Sequence, residues 1–125
     1  MLSHLDHLVI TTRDKIRCIE FYTQVLGMKA EPFGDGRLAL KFGPQKLNVH
    51  AFGDEFSPRA WLPAPGSLDL CFILAIPLDQ AIEQLGRLGI AIEVGPVLRV
   101  GAQGPIRSVY VRDPDMNLIE LSEQL

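Results

Sequence analysis

The sequence is most easily bounded by what it has little of. Two cysteines, Cys18 and Cys71, are too few for a disulfide framework. Lys and Arg number 12 against 15 Asp and Glu, a formal net charge of −3. The basic excess of a small nucleic-acid-binding domain is therefore missing, and no nucleic-acid partner is expected. The longest apolar run, Leu70 to Ile76, is far shorter than the ~20 residues that cross a bilayer, so no membrane partner is expected. The opening stretch MLSHLDHLVITTRD is too polar for a secretory signal, and a soluble cytoplasmic protein is the expectation. GDG at 34–36 marks a turn, and no GxGxxG nucleotide fingerprint follows it. What remains is 125 residues, 47% hydrophobic and 22% charged, which fits one globular domain over 1–125.

That domain repeats itself. LDHLVITTRDKIRCIEFYTQVLGM begins with alternating apolar residues, changes to helical spacing and ends on Leu-Gly. SLDLCFILAIPLDQAIEQLGRLGI does the same. An offset of 62 residues places His7 on Asp69, Leu8 on Leu70, Leu26 on Leu88 and Gly27 on Gly89. Farther along, LALKFGPQKLNVH and SVYVRDPDMNLIE align at an offset of 70, with Pro44 on Pro114 and His50 on Glu120. The chain thus reads as two modules, about 1–62 and 66–125, joined at Pro63–Gly66, where Pro and Gly punctuate. Two repeats are too few for a solenoid, so a paired, pseudo-symmetric α+β fold is expected.

Local signals fill in each module. Asp6 to Thr11 alternates as a strand, with His7 and Val9 on one side and Leu8 and Ile10 on the other. Asp14 is placed to cap a helix whose apolar stripe is Ile16, Ile19, Tyr22 and Leu26 and which stops at Gly27. The second helix starts near Pro77, buries Leu78, Ile82, Leu85 and Leu88, and stops at Gly89. Arg37–Phe42 and Lys46–Phe52 form a hairpin about Gly43-Pro44. Ile106–Arg112 and Met116–Ser122 form another about Asp113-Pro114-Asp115. The 92–104 stretch, with Gly95, Pro96, Gly101 and Gly104, reads as a loop.

Four strand positions carry chemistry: His7, His50, Asp69 and Glu120. Each sits among apolar neighbours, as in LDHLVI, LNVHAF, SLDLCF and NLIELS. The repeat makes them two equivalent pairs. An imidazole or carboxylate buried alone is costly, and convergence on a cation lowers that cost. Two imidazoles and two carboxylates suit a borderline divalent metal, which would act as a Lewis acid toward a carbonyl or an enediolate. Any one of the four would also be tolerated on the wet side of an antiparallel sheet. His4, before the strand, is expected to be simply exposed. Phe52 and Cys71 share strand parity with His50 and Asp69, and Cys71 reads as a small hydrophobe.

The chain resembles the vicinal oxygen chelate superfamily of glyoxalases, bleomycin-resistance proteins, fosfomycin-resistance enzymes and extradiol dioxygenases. LDHLVI at 5–10, FYTQVLGM at 21–28 and DPDMNLIEL at 113–121 carry the resemblance, which covers nearly the whole chain. KLNVH, PGSLDLCF and GAQGPIRSVYVRDPDMNLIELS are similar to a glyoxalase-domain-containing branch that includes virulence-associated bacterial members. The resemblance implies tandem βαβββ modules forming an open half-barrel around a metal, and a homodimer. It implies ligands from the first and last strand of each module: His7, His50, Asp69 and Glu120. The sequence departs from the family at three places. Asp69 stands where His is frequent, His50 where a carboxylate is usual, and Met116 where the turn usually has Gly.

The leading expectation is a glyoxalase-like lyase or isomerase dependent on Zn, Ni, Mn or Fe. A small carbonyl or thiohemiacetal substrate would react through an enediolate, with Glu120 or Asp69 as the general base. Two alternatives remain open. His7, His50 and Glu120 make a 2-His-1-carboxylate set, as in Fe(II) extradiol dioxygenases. A metal-free drug- or metabolite-binding protein like the bleomycin-resistance members is the other. A thiol transferase of the fosfomycin type has less support, because no clear cluster of cationic phosphonate contacts is present, although Arg99 and Arg107 flank a mobile-looking loop.

Overall fold

The computed structural model describes residues 1–125 and has the expected α+β architecture. The chain divides into two compact units, Met1–Ser67 and Leu68–Leu125. Each runs strand, helix, then three strands. The first contains β1 (His7–Thr12), α1 (Lys15–Glu20, continued by a π-helical turn over Phe21–Val25), β2 (Lys29–Phe33), β3 (Arg37–Phe42) and β4 (Gln45–Ala51). The second contains β5 (Asp69–Ile73), α2 (Leu78–Arg87), β6 (Val94–Gly101), β7 (Gly104–Arg112) and β8 (Leu118–Gln124). The sheet orders, β1-β4-β3-β2 and β5-β8-β7-β6, are equivalent. In both, the first strand of the unit lies parallel to its last strand, and the other pairs are antiparallel.

Strand parity splits each sheet into an apolar and a polar face. In the first unit Ile10, Leu40, Leu47 and Val49 share the apolar face and are buried, as are Cys18 and Tyr22 of the helical segment. Asp14 begins that segment: its Oδ1 accepts from the Arg17 amide at 3.1 Å. Gly27, at φ 76°, ends it. The buried stripe is Cys18, Phe21 and Tyr22, whereas Ile16 is 74% exposed. The π-helical turn accounts for part of this difference, because it widens the spacing on which an α-helical stripe is read. The second helix buries Leu78, Ala81 and Leu85 and leaves Leu88 half-exposed. Its N-terminus is capped from the sheet, since Glu123 Oε1 on β8 accepts from the Leu78 amide at 3.1 Å. Arg107 ties the same corner together by pairing with Asp79 and Glu123.

Two strands differ from expectation. The 92–104 stretch is no loop: Val94–Gly101 pairs with β7, with its register shifted between Val94 and Val97. Its Gly and Pro residues are read locally as punctuation, but at a sheet edge the missing Pro96 amide costs no ladder hydrogen bond. Gly95 is required there. Its φ is 110°, and a Cβ would lie 2.5 Å from the Ser108 carbonyl oxygen. Lys29–Phe33 is the other added strand. It is a polar, Pro-containing edge, which guards against unwanted strand pairing.

The turn between β7 and β8 explains the DPDMN segment. Asp113 Oδ1 accepts from the amides of Asp115 and Asn117, each at 2.9 Å. Asp113 Oδ2 accepts from Asn117 Nδ2 at 2.8 Å. Asn117 Oδ1 then accepts from the Leu68 amide at 2.9 Å, fastening the turn to the residue before β5. Asp113 and Asn117 are both buried, so this clasp sets where β5 and β8 begin. Met116 occupies the left-handed region at φ 69°, which costs a non-glycine residue ~1–2 kcal/mol. Met116→Gly is expected to raise stability by about 0.5–1 kcal/mol, and Asp113→Ala to lower it by roughly 2–4 kcal/mol, in urea unfolding.

Candidate metal and substrate site

In the first unit the polar face is set by the ladder register. His7, Val9 and Thr11 of β1 pair with Lys46, Asn48 and His50 of β4. Asn48 and Lys46 pair in turn with Ala39 and Lys41 of β3, and Arg37, one residue beyond the Leu38–Val49 pair, lies beside His50. This face therefore presents two imidazoles, an amide and a row of cations.

His7 is held by its neighbour. Its Nδ1 is 2.8 Å from Asp6 Oδ2, and the imidazole is 42% exposed. A carboxylate only accepts, so Nδ1 donates in this bond and Nε2 is the ring nitrogen left without a partner. That arrangement suits a metal-ligating histidine with its orienting carboxylate. The same bond holds Asp6 below the usual carboxylate range. Asp6 was not identified from sequence, although an acid directly before a strand histidine was visible there.

His50 differs. It is 7% exposed, its ring packs edge-on against Phe56 at 5.5 Å between centroids, and it makes no hydrogen bond within the chain. Burial first, then the nearby Arg37 charge, holds its pKa below 6.5. The neutral ring thus keeps a lone pair at neutral pH. The register separates it from His7, however. His7 is opposite Lys46 and His50 is opposite Thr11, four residues farther along β1. That is about 13 Å along the strands, a long span for two imidazoles to share one ion.

Asn48 lies between them. It is opposite Val9, two residues from the His7 level. Its Oδ1 is buried and is the one such side-chain oxygen or nitrogen without a hydrogen-bond partner. A desolvated carbonyl oxygen without a donor is unfavourable unless something else supplies the positive charge.

In the second unit Asp69 on β5 pairs with Leu118, and Cys71 pairs with Glu120 on β8. Asp69 and Glu120 thus share a face and are also two residues out of register. The ladder therefore makes Asn48, and not His50, the positional equivalent of Glu120. Asp69 is exposed and Glu120 half-buried. Ser122 Oγ approaches Glu120 Oε2 at 3.5 Å, contacts Ser108 Oγ at 2.7 Å and lies 3.3 Å from Cys71 Sγ. Tyr110, opposite Glu120 on β7, accepts from Arg99 Nε at 3.1 Å. Burial pushes the Tyr110 phenol up, and its hydrogen bond to Glu120 adds to that rise against the opposing effect of Arg99. Burial also pushes the Cys71 thiol up, against reactivity as a thiolate.

The second unit brings Asp69 and Glu120 to one face two residues apart, the first leaves His7 and His50 four residues apart, and no group of three or more His, Cys, Asp and Glu side chains converges. Sequence reasoning missed Asp6, Asn48, Tyr110 and Ser122. Arg99 belongs to the polar face, whereas Arg107 serves the α2 corner on the other face. Trp61 is 95% exposed.

The donor types within each unit, taken by itself, suit a divalent cation. His7 offers a free Nε2, Asn48 an unpartnered oxygen, and Asp69 and Glu120 offer carboxylates. The lowered His50 pKa also gives a pH dependence. Protonation is disfavoured in the folded state, so this stability contribution is complete above about pH 6.5. It is lost as pH falls from there through the folded pKa. In an NMR titration the His50 midpoint is expected below 6.5, the ordinary value. Arg37→Gln should raise it only in part, because burial is the larger cause. A midpoint at or above 6.5 would contradict the placement of this ring.

Known proteins share this sequence and fold. A glyoxalase domain-containing protein, RDO1, of Mycosarcoma maydis is 56% identical over 118 residues, which are 94% of this chain and 66% of that protein. The chain thus spans just under two thirds of the fungal relative. Virulence protein STM3117 of Salmonella typhimurium is 48% identical over 98% of this chain and 85% of its own length. Its crystal structure matches with a TM-score of 0.98, 47% identity, and coverage of 100% of this chain and 99% of that one. A lactoylglutathione lyase from Agrobacterium tumefaciens has the same fold, with a TM-score of 0.74 at 23% identity, covering 98% of this chain and 95% of its own. The family model for the glyoxalase/bleomycin resistance protein/dioxygenase superfamily matches residues 4–121. With its tandem βαβββ units, the chain belongs to that superfamily.

Proposed function

We propose that the protein is a metal-dependent lyase or isomerase of glyoxalase type, acting on a small substrate with adjacent oxygens. The observation that carries this reading is the matched pairs: His7 with Asn48 and Asp69 with Glu120, on equivalent strands at the same two-residue stagger. His7, Asp69 and Glu120 would hold a divalent cation of the Zn, Ni, Mn or Fe type, with Asn48 Oδ1 as the fourth protein oxygen or nitrogen. When bound, the metal supplies Lewis-acid polarisation of a substrate carbonyl. Register favours Asn48 over His50 in that role. The same register counts against the 2-His-1-carboxylate dioxygenase, which needs His7 and His50 on one ion.

The remaining chemistry falls to the chain. Glu120 is the proton carrier, taking a proton from the carbon next to the polarised carbonyl and returning it to the neighbouring carbon. Tyr110 and Ser122 hold the Glu120 carboxylate in one orientation. Asp69 is the second candidate base. Asp6 fixes the His7 tautomer. A homodimer is part of this reading, as edge strands and exposed apolar residues such as Leu98 and Val100 favour association.

Metal analysis of purified protein tests the reading. The wild type is expected to retain a divalent metal, His7→Ala and Glu120→Gln to lose it, and His50→Ala to keep it. Asp6→Asn should weaken metal affinity about 10- to 100-fold. Asn48→Asp should strengthen it by adding a charge. Metal retained in both His7→Ala and Glu120→Gln would end the proposal.

A further inference from the structure

Four cationic side chains are half-buried: Arg37, Lys46, Arg107 and Arg112. Two of them have carboxylate partners: Arg107 pairs with Asp79 and Glu123, and Arg112 with Glu93. The other two, Arg37 and Lys46, lie on the polar face of the first sheet and have none. None of the guanidinium N–H groups of Arg37 has a hydrogen-bond or ion-pair partner in the chain. Its guanidinium instead lies over the Phe56 ring, 4.5 Å from the centroid. Phe56 packs against His50, and Arg37 is close enough to depress the His50 pKa. Lys46 repeats the pattern at the His7 end of the sheet: it lies over the Phe33 ring at 3.9 Å and has no ion pair.

Stacking on a ring orients a guanidinium and satisfies none of its donors. A guanidinium fork held in place, with its donors free, matches a carboxylate bidentately. A carboxylate of the protein in that place would have neutralised the fork, and none is there. Glu55 acts on His50 electrostatically, but its carboxylate accepts from the Gly53 amide and forms no ion pair with Arg37.

We infer that Arg37, braced by Phe56 and beside His50, is a carboxylate-binding subsite, so that the substrate is a metal-chelating compound that also carries a carboxylate. His50 bounds this subsite as a neutral ring able to accept or donate one further hydrogen bond. Lys46 adds to the field that draws an anion to this face. The inference rests on the proposed function for its chelating half only. The carboxylate half rests on Arg37.

Catechol and 3,4-dihydroxybenzoate test it, because they share the same adjacent oxygens and differ by one carboxylate. Calorimetric titration of zinc-loaded protein should show tighter binding of 3,4-dihydroxybenzoate. Arg37→Met should lower that affinity about 10- to 100-fold and leave catechol within about twofold, with zinc content unchanged. Arg37→Lys, which keeps charge without the fork, should fall between them and guards against a folding defect in the Met variant. In metal-free protein, the Arg37 Nε–H resonance should shift with 3,4-dihydroxybenzoate and not with catechol. This arm needs no metal, so it separates a failure of the subsite from a failure of the metal site. Equal affinity for the two probes, or an equal loss of both in Arg37→Met, would overturn the inference.

Discussion

The parallel pairing of the first and last strand within each unit is the constraint on which the rest depends. Without it, His7 and Asn48, and likewise Asp69 and Glu120, would be distant in sequence and unrelated in space. Parallel neighbours cannot be joined by a tight turn, so a crossover is obligatory, and here it carries a helix and two further strands. Those intervening elements cover one face of each sheet with apolar side chains. The other face is left free for polar groups. Division of labour between the two faces allows imidazoles, carboxylates and an amide to sit on strands without unravelling a small core.

The acidic turn of the second unit serves this pairing. Asp113 folds the turn on itself, and Asn117 reaches across to the Leu68 amide. The clasp thereby fixes the start of β5 against the start of β8. A shift of one residue in either strand would turn Asp69 or Glu120 onto the apolar face. The buried hydrogen bonds of the turn are thus what makes the stagger of the two carboxylates definite. In the first unit the Gly43-Pro44 turn has the corresponding place between β3 and β4, joining Phe42 to Gln45.

The polar faces also show how neutral and charged groups are kept apart. His50 is buried, beside a cation and an aromatic ring, and stays neutral. Glu120 is half-buried among the hydroxyl groups of Ser122 and Tyr110. Arg37 and Lys46 are braced by rings and make no ion pair. The half-buried Arg112, by contrast, is paired with Glu93. Among the half-buried cations, Arg107 and Arg112 are tied to carboxylates of the fold, whereas Arg37 and Lys46 make no ion pair and are available to a ligand.

Much of this was legible from the amino-acid order alone. Strand alternation has a period of two, helix stops fall at Leu-Gly, and the same pattern recurs 62 residues later. These are local rules, so the two modules, both helices and the parity of His7, Asp69 and Glu120 follow from them. Edge strands β2 and β6 did not follow, because Pro and Gly are read locally as breaks, whereas a ladder partner on one side is enough to hold them. The two sequence offsets, 62 and 70, aligned His50 with Glu120. Only the ladders, which count residues across strands and not along the chain, put Asn48 in that place. Pairing of Asp6 with His7, the bare Asn48 oxygen and the unpartnered Arg37 fork likewise belong to tertiary structure. Each depends on which atoms surround a side chain once distant segments have met, and no periodicity in the sequence encodes that.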